Sequence, residues 1–185
     1  MTRTASTMTP LGISAPHFSL YDVVSEKKMG LTSSQKAKAT VIMFICNHCP
    51  YVKHVSKELI RLANDYISQD VQFIAINSND VESYPDDSPA NMKKTALAEK
   101  YPFPYLYDET QEVAKAYNAA CTPDFFVFDS NLTLVYRGQL DDSRPGNQIP
   151  VTGSSIREAL DNALTNQPVN EIQIPSLGCN IKWKK

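Results

Sequence analysis

The period of apolar and polar positions changes several times along the chain, and each change marks an element. Thr40-Val41-Ile42-Met43-Phe44-Ile45 is a continuous, β-branched apolar run, the pattern of a strand buried on both faces. From Pro50 the period lengthens. Val52, Val55, Leu59, Leu62, Ala63 and Tyr66 recur at helical spacing, and Pro50 suits a first turn, where its missing N–H costs nothing. Val71 to Asn77 is a second buried strand, so strand, helix and strand predict a right-handed parallel crossover. Its carboxyl end opens into an acidic loop, Ser78 to Pro89, with Asp80, Glu82, Asp86 and Asp87. That loop emerges on the sheet edge where open α/β sheets bind ligands, either as a solvated loop or as a partner-recognition element.

Downstream, Pro89 to Tyr101 predicts a helix with Met92, Ala96 and Leu97 inward, stopped by Pro102 and Pro104. A second helix is expected to open at Asp108, with Gln111 completing a capping box and Val113, Ala114 and Tyr117 inside. Asp124 to Asp129 and Leu132 to Arg137, joined by Ser130-Asn131, predict an antiparallel hairpin. The last helix starts near Ser154 or Ser155, with Glu158 as cap partner, buries Ile156, Ala159, Leu160, Ala163 and Leu164, and ends at Pro168. Upstream, Ala15 to Asp22 alternates as a short strand or hairpin arm. Ser25 to Lys38 reads as a polar connection. The pattern predicts one α/β domain over residues 1–185, a central mixed sheet flanked by helices with an N-terminal β extension, a loose segment at 1–14 and a tail at 166–185.

Composition narrows the function classes. With 185 residues, 42% of them hydrophobic, and a net charge of −2, the chain can bury a full core. Lysines and arginines are scattered among nearly equal acids, which leaves no basic stripe for nucleic acid. Met1 to Leu20 has no apolar run of signal-peptide length and no stretch could span a bilayer as a helix, so no membrane partner and a cytoplasmic location are expected. In a reducing compartment, two cysteines two residues apart read as redox-active or metal-binding.

That pair is Cys46-Asn47-His48-Cys49, set where the first buried strand meets the first helix. A thiolate attacks disulfides, and free N–H groups and the macrodipole at a helix start lower a thiol pKa from roughly 8.5. Cys46 is expected just ahead of the first turn and exposed, with Cys49 inside it. The spacing lets the sulfurs bond and cycle. The alternative is half a zinc site. It needs a second ligand pair, whereas Cys121 and Cys179 are single and far apart in sequence. The dithiol calls for no cofactor and no metal, but for a protein or small-molecule disulfide as substrate and an electron donor.

Strand, cysteine pair, helix, strand, helix, Thr122-Pro123, hairpin and terminal helix in this order resemble a thioredoxin-like fold. The opening Ala15-Pro16-His17-Phe18-Ser19-Leu20 and the extra helix before Pro102 resemble the redoxin branch, the AhpC/TSA superfamily. Phe44 to Tyr51 and the tail Gly178-Cys179-Asn180-Ile181-Lys182-Trp183 are similar to a peroxiredoxin-like group within it. The resemblance implies a cis bond at Thr122-Pro123, with Thr122 beside the Cys46 sulfur as a substrate-binding backbone. It implies a thiol-disulfide oxidoreductase in which Cys46 attacks and Cys49 resolves. The other functions it leaves open are an antioxidant thiol peroxidase and a non-catalytic adaptor.

Peroxiredoxins place their reactive cysteine after proline, three residues, Thr or Ser, and two residues. Reading back from Cys46 finds Met43 and Ala39, and from Cys49 finds Cys46 and Ile42. Thioredoxin carries Trp before its first cysteine and a buried Asp in the adjoining strand; here Ile45 precedes Cys46 and Val41 to Ile45 holds no carboxylate. The base for Cys49 must lie elsewhere. His48 stands where disulfide oxidases also carry histidine, as a group that tunes the Cys46 pKa or as a plain first-turn residue. Cys121 and Cys179 are candidate auxiliary thiols: the tail is expected to dock through Trp183 and bring Cys179 near Cys121 or Cys46. Otherwise Cys121 is a small buried apolar residue and Cys179 a tail residue.

Overall fold

The computed structural model describes residues 3–32 and 37–185. Residues 33–36 of the expected polar connection, and the first two of the N-terminal segment, lie outside the described residues. Strand β1 (Arg3–Ala5) is followed by β2 (Phe18–Asp22), β3 (Lys28–Leu31) and β4 (Ala39–Phe44). Helix α1 (Pro50–Ile67) leads to β5 (Val71–Asn77), a 3-10 turn at Pro85–Asp87, α2 (Pro89–Glu99), β6 (Tyr105–Tyr107) and α3 (Glu112–Ala116). Then come β7 (Cys121–Thr122), β8 (Asp124–Asp129), β9 (Leu134–Gly138), α4 (Ser154–Leu164) and β10 (Leu177–Asn180).

A seven-stranded mixed sheet, order β3-β2-β6-β5-β4-β8-β9, forms the centre. All six residues of β4 are buried; it pairs parallel with β5 and antiparallel with β8. The alternation of β4 explains the layering. Val41, Met43 and Ile45 face the core of α1, α2 and α4, with Leu59, Leu62, Met92 and Leu160, whereas Ile42 and Phe44 pack on the other face with Val113, Ala114 and Tyr117. The six apolar α1 positions named from the sequence are all buried. Thr122-Pro123 is cis.

A second sheet, β1-β10-β7, was not anticipated. The 1–14 segment is not loose where it is described: β1 pairs with β10, and Ser14 bridges Thr133. Nor is the tail free, since Cys179 faces Thr122 and Asn180 faces Cys121 in an antiparallel ladder. Gly178 allows that ladder. A Cβ on Gly178 would stand 2.0 Å from the Thr122 carbonyl oxygen, 2.6 Å from its carbon and 3.1 Å from Pro123 N, so only glycine lets β10 lie this close.

Other expectations are corrected. The capping box at Asp108 does not form: Gln111 is left-handed and its Nε2 donates to the carbonyls of Ser78 and Lys182. Asp108 instead accepts from Ala114 N and Ser78 Oγ. No side chain caps α4, whose N-cap is Gly153; the Asp141 carboxylate accepts the Thr152 and Gly153 N–H groups ahead of it. Leu97 is 57% exposed rather than inward, and Trp183 is 41% exposed. The tail is anchored by the buried Cys179, Ile181 and Lys182, while Trp183 lies on the surface under Lys115.

Candidate active site

The two cysteines sit where β4 delivers the chain to α1. Cys49 is the N-cap of α1, in extended geometry, with Pro50 in the first turn. Cys46 is not exposed as expected: it is 2% accessible, and Cys49 is fully buried. Cys46 nevertheless lines an open groove of about 590 Å³ between α1 and α2, with Asn47, Lys53, Lys57, Lys94 and Tyr101. Cys49 is not part of that lining. All four cysteines are thiols.

The neighbours of the two sulfurs decide where the shared charge rests. Cys46 Sγ lies 3.4 Å from Thr122 Oγ1, and Cys49 Sγ lies 3.1 Å from the Thr122 carbonyl oxygen. A hydrogen bond from the Cys46 thiol, together with the Cys179 thiol and the Val52 and Cys179 N–H groups, favours the Cys49 thiolate and lowers its pKa. The same Cys49 bond, then burial, then the Asp87 charge push the Cys46 thiol up. As a thiol, Cys49 donates to the Thr122 carbonyl, and burial also works against its thiolate, in the opposite sense to the donors. Cys49 is therefore the more acidic of the two sulfurs and Cys46 the less, and their titration belongs to the pair. This order reverses the expected one, in which Cys46 was the more acidic sulfur.

Asp87 is the residue the sequence did not single out from its loop. It is fully buried. Its Oδ1 accepts Asn47 N–H at 2.8 Å, and its Oδ2 accepts Asn79 Nδ2 at 2.8 Å and lies 2.6 Å from His48 Nδ1. Asn47 Nδ2 also donates to the Asp86 carbonyl. The acidic loop is thus clasped onto the cysteine motif. The His48 ring stacks on Tyr84, with centroids 5.3 Å apart, and bonds Asp87. Cys46, His48 and Asp87 bring one donor atom each within 4.8 Å of one another. They are the described residues that could share an ion, although Asp87 already accepts from two other donors.

Comparisons with known proteins fit this geometry. The AhpC/TSA family model matches residues 11–137. The chain belongs to the AhpC/TSA family. A crystal structure of an uncharacterized conserved protein from Geobacillus kaustophilus is 64% identical, with a TM-score of 0.97, covering 100% of this chain and 97% of that one. A hypothetical protein from Sinorhizobium meliloti is 43% identical, with a TM-score of 0.95 and 98% of each chain covered. A thiol:disulfide interchange protein of the thioredoxin family from Chlorobium tepidum is 18% identical, with a TM-score of 0.63, over 84% of this chain and 98% of that one. The search of curated proteins found no match. The fold of this AhpC/TSA protein is thioredoxin-like.

Within that fold the sequence-named residues divide. Cys46, Cys49 and Thr122 converge, but the Thr122 backbone carbonyl meets Cys49 rather than Cys46, which its hydroxyl meets instead; Cys179 joins them at Cys49, one ladder step from Cys121. Cys121 is fully buried with its thiol on the Pro123 carbonyl. Burial, then the Asp124 charge, push its pKa far above the usual thiol range. Asp124, one residue past the cis proline, is itself fully buried, its pKa raised to about 8 by desolvation. No helix of the described residues is long and apolar enough to cross a membrane.

Proposed function

We propose that the protein is a thiol-disulfide oxidoreductase that cycles Cys46 and Cys49 between dithiol and disulfide. The observation that carries this is the placing of both sulfurs against Thr122 at the start of α1, with Cys46 the one that lines the groove. In the singly protonated pair, Cys49 takes the Cys46 proton as a substrate disulfide enters, and the Cys49 S–H donates to the Thr122 carbonyl 3.1 Å away. The Cys46 thiolate attacks one substrate sulfur, a mixed disulfide forms, and the other leaves as thiolate. That leaving thiolate takes the proton from Cys49. The Cys49 thiolate then attacks Cys46 sulfur, closes the Cys46–Cys49 disulfide and releases the second substrate thiolate. One disulfide is reduced, one is formed, and the starting proton leaves on product.

Asp87 and His48 set the balance in this scheme. Asp87 holds Asn47 N–H and keeps a charge near Cys46 that favours its protonated form, and His48 bonds that carboxylate. The electron donor is a thiol partner, and the cytoplasm, where thiols are kept reduced, is the proposed compartment. The test is capture. Cys49→Ser should accumulate mixed disulfides through Cys46, and Cys46→Ser should accumulate none. Equal capture by the two variants would contradict the division of labour.

A further inference from the structure

Besides Cys46, a second thiol touches Cys49. Cys179 lies opposite Thr122 on β10, 4% exposed, and the Thr122 carbonyl lies 3.1 Å from the Cys49 sulfur, so the Cys179 thiol and N–H face Cys49 as donors. Gly178 permits this approach, and the tail is held there from both sides: β1 pairs with β10, and Ile181 N–H donates to the Ala120 carbonyl at 3.1 Å. Beyond it, Lys182 N–H donates to Asn79 Oδ1, and Asn79 Nδ2 reaches Asp87, so the segment carrying Cys179 is hydrogen-bonded to the loop that holds the motif.

We propose that Cys179 is a third redox thiol, which attacks Cys49 in the Cys46–Cys49 disulfide to form Cys49–Cys179 and release Cys46. This rests on the dithiol reading above. The exchange balances without an outside oxidant: one S–S bond breaks, one forms, and the proton of Cys179 passes to the Cys46 thiolate. Cys46 returns reduced to the groove. The oxidising equivalent moves to two sulfurs buried between α1 and β10, where an external thiol regains access only after the bond returns to Cys46.

The chemistry of the two oxidation states favours the step. In the reduced protein, burial and then the bond to Cys49 hold the Cys179 thiol protonated, while Lys182 acts in the opposite sense. Once Cys49 is in a disulfide its negative charge is gone, whereas the buried Lys182 ammonium remains. Cys179 then becomes more acidic as its neighbour becomes an electrophile.

The test maps disulfides in the full chain after equilibration with oxidised glutathione and alkylation. Cys46→Ser, with Cys46→Ala as a second variant in case serine disturbs folding, should contain an intramolecular link between the Cys49 and Cys179 peptides. In oxidised wild type, a fraction of chains should carry that same link with Cys46 alkylated, and Cys179→Ser should lose that fraction completely. If wild type shows Cys46–Cys49 and no sample shows Cys49–Cys179, the third-thiol role is overturned while the dithiol reading stands. If wild type forms no Cys46–Cys49 bond at any glutathione ratio, the dithiol reading falls and the proposed exchange falls with it.

Discussion

Gly178→Ala tests how tightly the tail is built into the site. The new Cβ would stand 2.0 Å from the Thr122 carbonyl oxygen, against 3.4 Å for ordinary contact, so β10 must withdraw by about 1.4 Å. The Ile181 to Ala120 hydrogen bond, 3.1 Å long, cannot survive such a shift. Leaving buried partners unpaired costs about 1–3 kcal/mol per group, and overpacking adds a similar amount, so about 3 kcal/mol is expected in total. In a chain of this size 1 kcal/mol moves the melting temperature by roughly 2–4 °C, which gives a fall of about 6–12 °C. The assay pairs thermal unfolding with alkylation: Cys179 and Cys49 should also react faster well below the transition. An unchanged melting temperature with unchanged thiol reactivity would refute the claim that β10 is fixed against Thr122.

Three further outcomes are expected. Asp124 has a folded pKa raised to about 8 by burial; the stability it contributes is fully present below about pH 4, where the unfolded carboxyl is protonated, and is lost as pH rises to about 8. Asp124→Asn should therefore gain on wild type, by on the order of a few kcal/mol, between pH 4 and pH 8 in denaturant titrations; a pH-independent difference would contradict this. Asp87→Asn keeps an acceptor for Asn47 N–H but removes the charge beside Cys46, so the upper apparent pKa of the thiol pair should fall in an ultraviolet thiolate titration; a rise would place the charge effect elsewhere. Hydrogen peroxide should be consumed at a rate close to that of a free thiol, because Cys46 is held protonated; a rate constant orders of magnitude higher would favour the peroxidase reading.

Elements with long, regular patterns were legible in the sequence: β4, α1 and β5 carry uninterrupted periodicity, and their burial follows it residue by residue. Strand β6, three residues between Pro104 and Asp108, is too short to show a period. Strand β10 was hidden for another reason. Its pairing is set by Gly178 against a cis-proline loop over fifty residues upstream, a contact that no local pattern encodes; the visible hint was a glycine directly before a tail cysteine. Asp87 was concealed among exposed acids. Its burial comes from partners on two segments, Asn47 and His48 of the cysteine motif and Asn79 of its own loop, and the polar run Asn77-Ser78-Asn79 at the end of a buried strand was the signal that this loop folds inward. Gln111 was misread because its side chain serves the tail, through Lys182, rather than its own helix.

The central claim is that Cys46 and Cys49 form a reversible two-electron couple. Its most direct test is the fraction of wild-type chains with a Cys46–Cys49 disulfide, mapped by mass spectrometry across a series of reduced-to-oxidised glutathione ratios. The account predicts that this fraction rises with the oxidised share, falls again when the ratio is reversed, and vanishes in Cys49→Ser. Cysteines that stay as thiols throughout, or a disulfide that persists when the ratio is reversed, would contradict it.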